Sequence, residues 1–230
     1  MSIVLSESKA KKHVKVLIVD DHRVVCEGLA YLLRQQDEFV VTECAGSFEE
    51  TMRALRQIPP DIAVVDISLG NMSGLDLIKT LHCEFPWVLI LVLSMHDESL
   101  YAERCLHAGA KGYIMKSEGH EKIIEGISQV LAGKTYVSEA VREQIWQQAV
   151  NRPKTASRPP EERLTDRELE VYTLIGQGMA TQQIAAGLHL SPKTIQTYRN
   201  NIKEKLGLQT SAELVHRAVI WNTEGQRVQP

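Results

Sequence analysis

Asp20, Asp21, Asp66, Ser94 and Lys116 all follow short apolar runs in the first half of the chain. Val16-Leu-Ile-Val19 leads into Asp20-Asp21, and Ile62-Ala-Val-Val65 into Asp66. Val88-Leu-Ile-Leu-Val-Leu93 leads into Ser94, and Gly112-Tyr-Ile-Met115 into Lys116. Together these are the residue types that move a phosphoryl group onto a carboxylate. Such a transfer needs negative charge neutralised on both donor and acceptor. Mg2+ is the usual means, held by one or two carboxylates while water and substrate oxygens complete its shell; the adjacent Asp20 and Asp21 can hold it. Asp66 can be both metal ligand and nucleophile, because carboxylates form acyl phosphates. Lys116 brings a compact positive charge for the phosphoryl oxygens, and the Ser94 hydroxyl a further donor.

For these groups to meet, the apolar runs must be neighbouring strands. Short apolar runs separated by helix-length segments read as parallel strands buried on both faces, and ligands of an open parallel sheet lie beyond the carboxyl ends of its strands. Strands are expected near 15–20, 39–44, 61–66, 88–93 and 112–115, with amphipathic helices near 23–36, 48–57, 75–84, 97–108 and 119–132. After an N-terminal extension over 1–13, residues 14–134 therefore predict a small doubly wound α/β domain with helices on both faces of its sheet. Pro59-Pro60 stops the second helix and Gly109 the fourth. Residues 135–161 hold another helix, Ser138 to Val150, and then a stretch from Asn151 to Pro160 rich in Pro and cations, which reads as an exposed linker.

Beyond the linker the strand signal vanishes. Four helices are expected near 166–177, 182–187, 192–206 and 211–221, in an all-α unit over 162–224 followed by a tail over 225–230. Thr165-Asp-Arg-Glu168 is a capping box, and Ser191-Pro192 joins a Ser N-cap to Pro at the first helical position. Gly187-Leu-His-Leu190 links the middle two helices with the spacing of a helix-turn-helix, whose second member reads DNA. At about 100° per residue, Ile195, Tyr198, Ile202 and Leu206 fall on the inward side of that second helix. Lys193, Thr197, Asn200 and Glu204 lie opposite, with Gln196 and Lys203 at the margin. Asn and Gln can bond adenine bidentately, Thr can reach a base, and Lys and Arg suit phosphates. Lys193, Thr194, Gln196, Thr197, Arg199, Asn200, Lys203 and Lys205 are thus the candidate contacts to double-stranded DNA, although the same polar face would suit a solvated helix. One such module covers only a half-site, so a homodimer on DNA is expected.

Composition narrows the classes. A net charge of −3 gives no global attraction to nucleic acid or anionic membrane, so DNA binding must come from a local patch. No run approaches the ~20 apolar residues of a membrane span, and Met1 to His13 has no apolar core of the secretory kind. A cytoplasmic protein with no membrane partner is expected. Cys26, Cys44, Cys83 and Cys105 are widely spaced, form no C-x-x-C pair, and read as reduced, half-buried thiols rather than zinc ligands or disulfides.

On these residues the chain resembles a known family. Residues 14–133 are similar, over the full length of that unit, to the receiver domain of bacterial two-component response regulators. Asp20-Asp21 matches the acidic pair, Asp66 the phosphoacceptor, Ser94 the Ser/Thr position, Lys116 the essential lysine and Tyr113 the aromatic switch residue. Met72-Ser-Gly74 resembles the family's M-x-G loop, with Ser73 in place of the common Pro, and Ser117 stands where many receivers carry Pro. A flavodoxin-like strand order 2-1-3-4-5 is inherited from this resemblance, a receiver being itself a standard example of that order. Residues 162–224 resemble the LuxR-type DNA-binding domain. Leu164-Thr-Asp-Arg-Glu-Leu-Glu-Val171 matches its opening L-T-x-R-E-x-E-V, and Ile184-Ala185, Leu190-Ser-Pro-Lys-Thr-Ile195 and Lys205-Leu206 match its later motifs. Tyr198 and Gln196 depart from a frequent His and Lys, so the target sequence does not transfer. The order of the two units is similar to that of the NarL/FixJ subfamily.

That resemblance implies a sensor histidine kinase or phosphotransfer protein presenting phosphohistidine to Asp66, with Mg2+ on Asp20, Asp21, Asp66 and the backbone carbonyl of Ser68. The new dianion would attract the Ser94 hydroxyl and let Tyr113 rotate inward, changing the partners of the fourth helix, fifth strand and fifth helix, although Tyr113 equally suits a packed strand aromatic. Ser68 and His96, each two residues past a site residue, would tune acyl-phosphate lifetime. The last helix, Ser211 to Trp221, would supply the dimer contact on DNA, although Leu214, Val215, Ala218 and Trp221 also suit packing within the domain. RNA polymerase would be a further partner. The receiver would catalyse only its own phosphotransfer and dephosphorylation, so the protein is not an enzyme in the usual sense. An enzymatic rival, a phosphatase resembling the haloacid-dehalogenase class, needs a second Asp two residues after the first, and position 22 is His. A binding rival keeps the receiver and uses the C-terminal helices to grip protein instead of DNA.

Overall fold

The computed structural model describes residues 13–69, 72–151 and 160–226. The N-terminal extension before His13, most of the expected linker and the last four residues lie outside the described residues. The chain runs β1 (Val14–Val19), α1 (Arg23–Arg34), β2 (Phe39–Ala45), α2 (Phe48–Gln57), β3 (Ile62–Val65), the short strands β4 (Ser68–Leu69) and β5 (Met72–Ser73), α3 (Gly74–Glu84), β6 (Leu89–Ser94), α4 (Glu98–Ala108), β7 (Gly112–Met115), α5 (His120–Leu131) and α6 (Glu139–Asn151). A 3-10 turn (Pro160–Arg163) then leads into α7 (Asp166–Gly176), α8 (Thr181–Gly187), α9 (Pro192–Leu206) and α10 (Ser211–Gln226).

The five longer strands make one parallel sheet in the order β2-β1-β3-β6-β7. Their side chains alternate between two helical layers, as the period of a strand requires. Val16, Ile18, Ile62, Val64, Leu91, Leu93 and Ile114 pack with α1 and α5. Leu17, Val19, Ala63, Val65, Ile90, Val92 and Tyr113 pack with α2, α3 and α4. Both faces are dry, which is why each strand reads as an unbroken apolar run. The chain turns opposite ways from β1 into β2 and into β3, so the sheet's topological switch point lies between β1 and β3, where a ligand crevice forms.

The ribbon β4–β5 has no counterpart among the sequence expectations, since two-residue strands are too short to show periodicity. It brings the backbone after Asp66 back on itself. A Cβ at Gly74 would lie 2.2 Å from the Ile67 Cα, so only glycine permits this return. In the C-terminal unit the Thr165 capping box forms with both of its bonds, and the Ser191 side chain caps α9 at the Thr194 N–H. His189 takes a positive φ of 51° in the α8–α9 turn, a conformation His tolerates better than most side chains. Gly176 lets α7 cross α10 closely, since a Cβ there would meet the Ala218 carbonyl oxygen at 2.4 Å. Helix α10 runs to Gln226, five residues past the expected end. Leu214 and Ala218 are fully buried and Trp221 packs on Tyr172, but Val215 and Val219, one turn apart, face outward. The cysteines divide evenly instead of all being half-buried: Cys26 and Cys105 are buried, Cys44 and Cys83 exposed.

Candidate functional site

Register alone brings the acidic residues together. Val19 pairs with Val65, and Val65 with Val92, so Asp20 and Asp66 leave adjacent strands side by side. The ladder extends one residue beyond the strands: Asp20 N–H donates to the Ala45 carbonyl (3.0 Å), Asp66 N–H to Val19 (2.8 Å) and Lys116 N–H to Ser94 (2.7 Å). Backbone bonds thus fix where each side chain starts. The Lys116 ammonium donates to Asp20 Oδ2 (2.5 Å) and Asp66 Oδ2 (2.7 Å), and the Ser68 N–H donates to Asp66 Oδ1 (3.1 Å). Asp20 and Asp66 are both buried. Burial pushes the Asp66 carboxyl above its usual range, and nearby Asp20 adds to the push, while Lys116 and the Ser68 amide pull it back. Burial works against the Lys116 charge, but Asp66 and Asp20 raise its pKa and hold it as an ammonium.

Ligand atoms of Asp20, Asp21, His22 and Asp66 all lie within 4.8 Å of one another. With every carboxylate ionised, three negative charges face one ammonium, and the pocket carries a deficit that a divalent cation would cancel. The oxygen-rich donor set fits Mg2+. Asp20, Asp21, Asp66 and Lys116 therefore meet as expected. His22, which in the sequence serves only to rule out a phosphatase, also stands at the pocket; its only signal in the sequence is adjacency to the acidic pair.

Ser94 is fully buried, and its Oγ accepts the His96 N–H (3.0 Å). Tyr113 packs in the core as a strand aromatic. Its ring is buried, with the hydroxyl donating to the His96 carbonyl (2.8 Å), and burial raises the pKa of the phenol. His96 Nε2 meets Ser68 Oγ (2.9 Å), which joins the two residues expected to tune lifetime across the pocket's mouth. Burial, with the Lys116 charge adding, pushes His96 down to about 4, so it is neutral near pH 7. Its ring stacks on Tyr101 of α4, with centroids 4.6 Å apart.

Helix α9 keeps its predicted faces. Ile195, Ile202 and Leu206 are buried, Tyr198 is half-buried against the same core, and Lys193, Gln196, Thr197 and Asn200 are exposed. Gln196 Nε2 donates to Asn200 Oδ1 (3.3 Å), so the two amides with base-reading chemistry form one i,i+4 unit. Three of the eight candidates have other employment. Lys205 Nζ binds Glu168 Oε2 (2.5 Å) and ties α9 to the α7 capping box. Thr194 shares its hydroxyl with the N-cap Ser191 (2.8 Å). Arg199 is half-buried, and burial lowers its pKa. Asn201, which no motif of the sequence marks, is exposed on this helix.

A junction between the two units is also invisible in sequence. Asp166 of α7 accepts from Lys79 of α3 (2.9 Å) and Arg104 of α4 (3.1 Å). Arg104 also donates to the Leu164 carbonyl (3.0 Å). Tyr101 of α4 is buried, and its hydroxyl has no hydrogen-bond partner among the described residues.

Comparison with known proteins falls into the same two parts. Residues 16–128 match the response regulator receiver domain, and residues 162–218 match the luxR family of bacterial regulatory proteins. The chain is 34% identical to the transcriptional regulatory protein MctR of Rhizobium johnstonii, covering 90% of this chain and 93% of that one. It is 33% identical to the oxygen regulatory protein NreC of Staphylococcus carnosus (90% and 97% covered), and 32% identical to the response regulator GacA of Pseudomonas aeruginosa (90% and 95%). Its fold is similar to RcsB of Salmonella enterica serovar Typhimurium bound to the promoter rprA, with TM-score 0.60 and 22% identity over 89% of this chain and 98% of that one.

Proposed function

This chain belongs to the response regulators that join a receiver domain to a luxR-type DNA-binding domain, and from that membership we propose that Asp66 is the phosphoacceptor through which it regulates transcription. The observation that carries the reading is the Asp66 carboxylate, buried at the switch point of the sheet with Lys116 on one oxygen and the Ser68 amide on the other. Asp66 attacks the phosphorus of a phosphohistidine on a sensor histidine kinase or phosphotransfer protein. The bond from phosphorus to imidazole breaks, and an acyl phosphate forms on Asp66. Asp20, Asp21, Asp66 and the Ser68 carbonyl are the groups that would hold Mg2+, which when bound neutralises charge on the phosphoryl oxygens. Lys116 follows the added charge, and the Ser94 hydroxyl donates to a phosphoryl oxygen. This chain performs no turnover beyond its own phosphotransfer and dephosphorylation.

The output rests on α9. Its exposed amides and lysines meet bases and phosphates of double-stranded DNA in the cytoplasm, and RNA polymerase is a further contact. The outward Val215 and Val219 of α10 support a homodimer on DNA. Because Lys79 of α3 and Arg104 of α4 bond Asp166 of α7, a change around Ser94, Tyr113 and His96 reaches the DNA-binding unit through α4. Among the described residues no helix is long and apolar enough to cross a membrane. A mobility-shift assay on sites selected from random DNA, with and without a small acyl-phosphate donor and Mg2+, tests this reading. Retention of selected DNA that strengthens with phosphorylation is expected. No sequence-selective retention in either state would leave the C-terminal helices as a protein-binding unit.

A further inference from the structure

The cation pocket holds one residue that oxygen chemistry does not require. His22 Nδ1 lies 2.8 Å from Asp21 Oδ1 and 3.3 Å from Asp20 Oδ1. Its backbone N–H donates to Asp20 Oδ1 (2.8 Å), so the residue is pinned over the acidic pair just before α1 begins. Nitrogen and carboxylate ligands sit about 2.0–2.2 Å from a bound transition metal, so two neighbouring ligands of one ion are roughly 3.0–3.5 Å apart. The imidazole nitrogen stands within this range of the Asp20 oxygen and slightly closer to the Asp21 oxygen, so a small shift would let all three meet one ion. The His22 side chain is 67% exposed, so ligation through Nδ1 would bury little of the ring.

We propose that His22 is a nitrogen ligand of the pocket and sets its metal preference toward imidazole-binding dications, Mn2+ through Ni2+ and Zn2+, over Mg2+. The proposal rests on the pocket being the cation site assigned above. Charge does not choose between these ions, because every dication cancels the same deficit. Ligand type does. Carboxylate and carbonyl oxygens suit Mg2+ and Mn2+, whereas imidazole strengthens binding along the Irving–Williams series. A pocket of carboxylates and one imidazole should therefore gain little for Mg2+, something for Mn2+ and most for Ni2+ and Zn2+.

The test uses the full-length, tag-free protein with each metal salt alone. Calorimetry gives the ratio of Ni2+ to Mg2+ affinity for wild type, His22→Ala and Asp21→Asn, and electron spin-echo spectra of the Mn2+-loaded protein look for 14N coupling. In His22→Ala the affinity ratio is expected to fall about tenfold or more, and the nitrogen coupling to vanish. In Asp21→Asn both ions should bind more weakly, which places them in this pocket and not on the protein's seven other histidines. Circular dichroism confirms that each variant is folded. An unchanged ratio, or 14N coupling that survives in His22→Ala, overturns the proposal while leaving the Mg2+ pocket standing. Indifference of both ions to Asp21→Asn removes the pocket itself, and this proposal with it.

Discussion

The acidic pocket and helix α9 are both polar and both candidate binding surfaces, yet they are built by opposite means. The pocket draws side chains from three strand ends, and the two partners in its shortest ion pair are 96 residues apart in sequence. Asp20 and Asp66 are buried with Lys116 half-buried between them, their charges act on one another, and the sheet holds them. Helix α9 presents its groups from 15 consecutive residues. Lys193, Gln196, Thr197 and Asn200 among them are exposed, and their direction is set by helical period. Charge inside a protein interacts strongly and fails abruptly when a partner is removed, whereas charge in water is screened and adds up gradually. Perturbing the pocket should therefore give all-or-none effects, and perturbing the helix graded ones.

The largest effect is expected at Asp66. Asp66→Asn keeps the shape and removes the nucleophile, so phosphate incorporation from a small acyl-phosphate donor with Mg2+ should drop to background. Joint replacement of Asp20 and Asp21 by Asn should do the same by removing the cation's ligands. Hydroxylamine-sensitive phosphate persisting in Asp66→Asn would falsify the assignment.

Next comes Lys116, which serves two buried carboxylates at once. Removing one partner of a buried ion pair costs about 3–5 kcal/mol, and Lys116→Ala leaves the carboxylates facing each other. The variant should melt well below wild type without divalent cation and recover much of the difference with Mg2+. Ser94→Ala should melt near wild type yet lose most of the gain in DNA affinity on phosphorylation. Thermal melts with and without Mg2+, and titrations of phosphorylated protein, check both. A Lys116→Ala melt insensitive to cation would mean the pocket's charges are not coupled as drawn.

On α9 the effects should be smaller and separable. Asn200→Ala or Gln196→Ala should cost roughly 1–3 kcal/mol on the selected DNA site and relax preference at particular base pairs. Lys193→Ala or Lys203→Ala should weaken all sequences alike and reduce the salt slope by about one for each phosphate no longer neutralised. Binding of each variant to selected and scrambled DNA across salt concentrations decides. Equal, uniform weakening in Asn200→Ala and Lys203→Ala would show that this helix does not read sequence.

The smallest effect separates a DNA-binding role from a structural one. Lys205 is held by Glu168, so Lys205→Ala should leave the salt slope nearly unchanged and cost about 1 kcal/mol of stability. Burial pushes the Glu168 carboxyl up, but the bonds from Lys205 and Thr165 prevail and hold it below its ordinary 4.5. A depressed folded value means that this stabilisation is complete above about pH 4.5 and is lost as the pH falls through the folded value. Glu168→Gln should flatten that acid limb in melts from about pH 3 to 7. An unaltered limb would assign the shift to other groups.

Much of this was legible in the sequence because it is local. Apolar runs bounded by Pro and Gly located the five long strands, and the 3.6-residue period placed Ile195, Ile202 and Leu206 inside α9. Thr165 and Glu168 named their own capping box. The polar residue after each run marked the sheet edge, since a strand buried on both faces can change character only where it ends. What the sequence could not fix was how those ends pair in space. The ribbon after Asp66, the inward ring of Tyr113, the capture of Lys205 by Glu168 and the grip of Lys79 and Arg104 on Asp166 each depend on which groups are left unsatisfied once the layers close. His22 is the sharpest case. In the chain it is one histidine beside two aspartates, and only the folded loop, with its amide on Asp20, sets its ring beside both carboxylates. Period and patterning decide what lies inside; closure of the fold decides which buried or half-buried partner each polar atom finds.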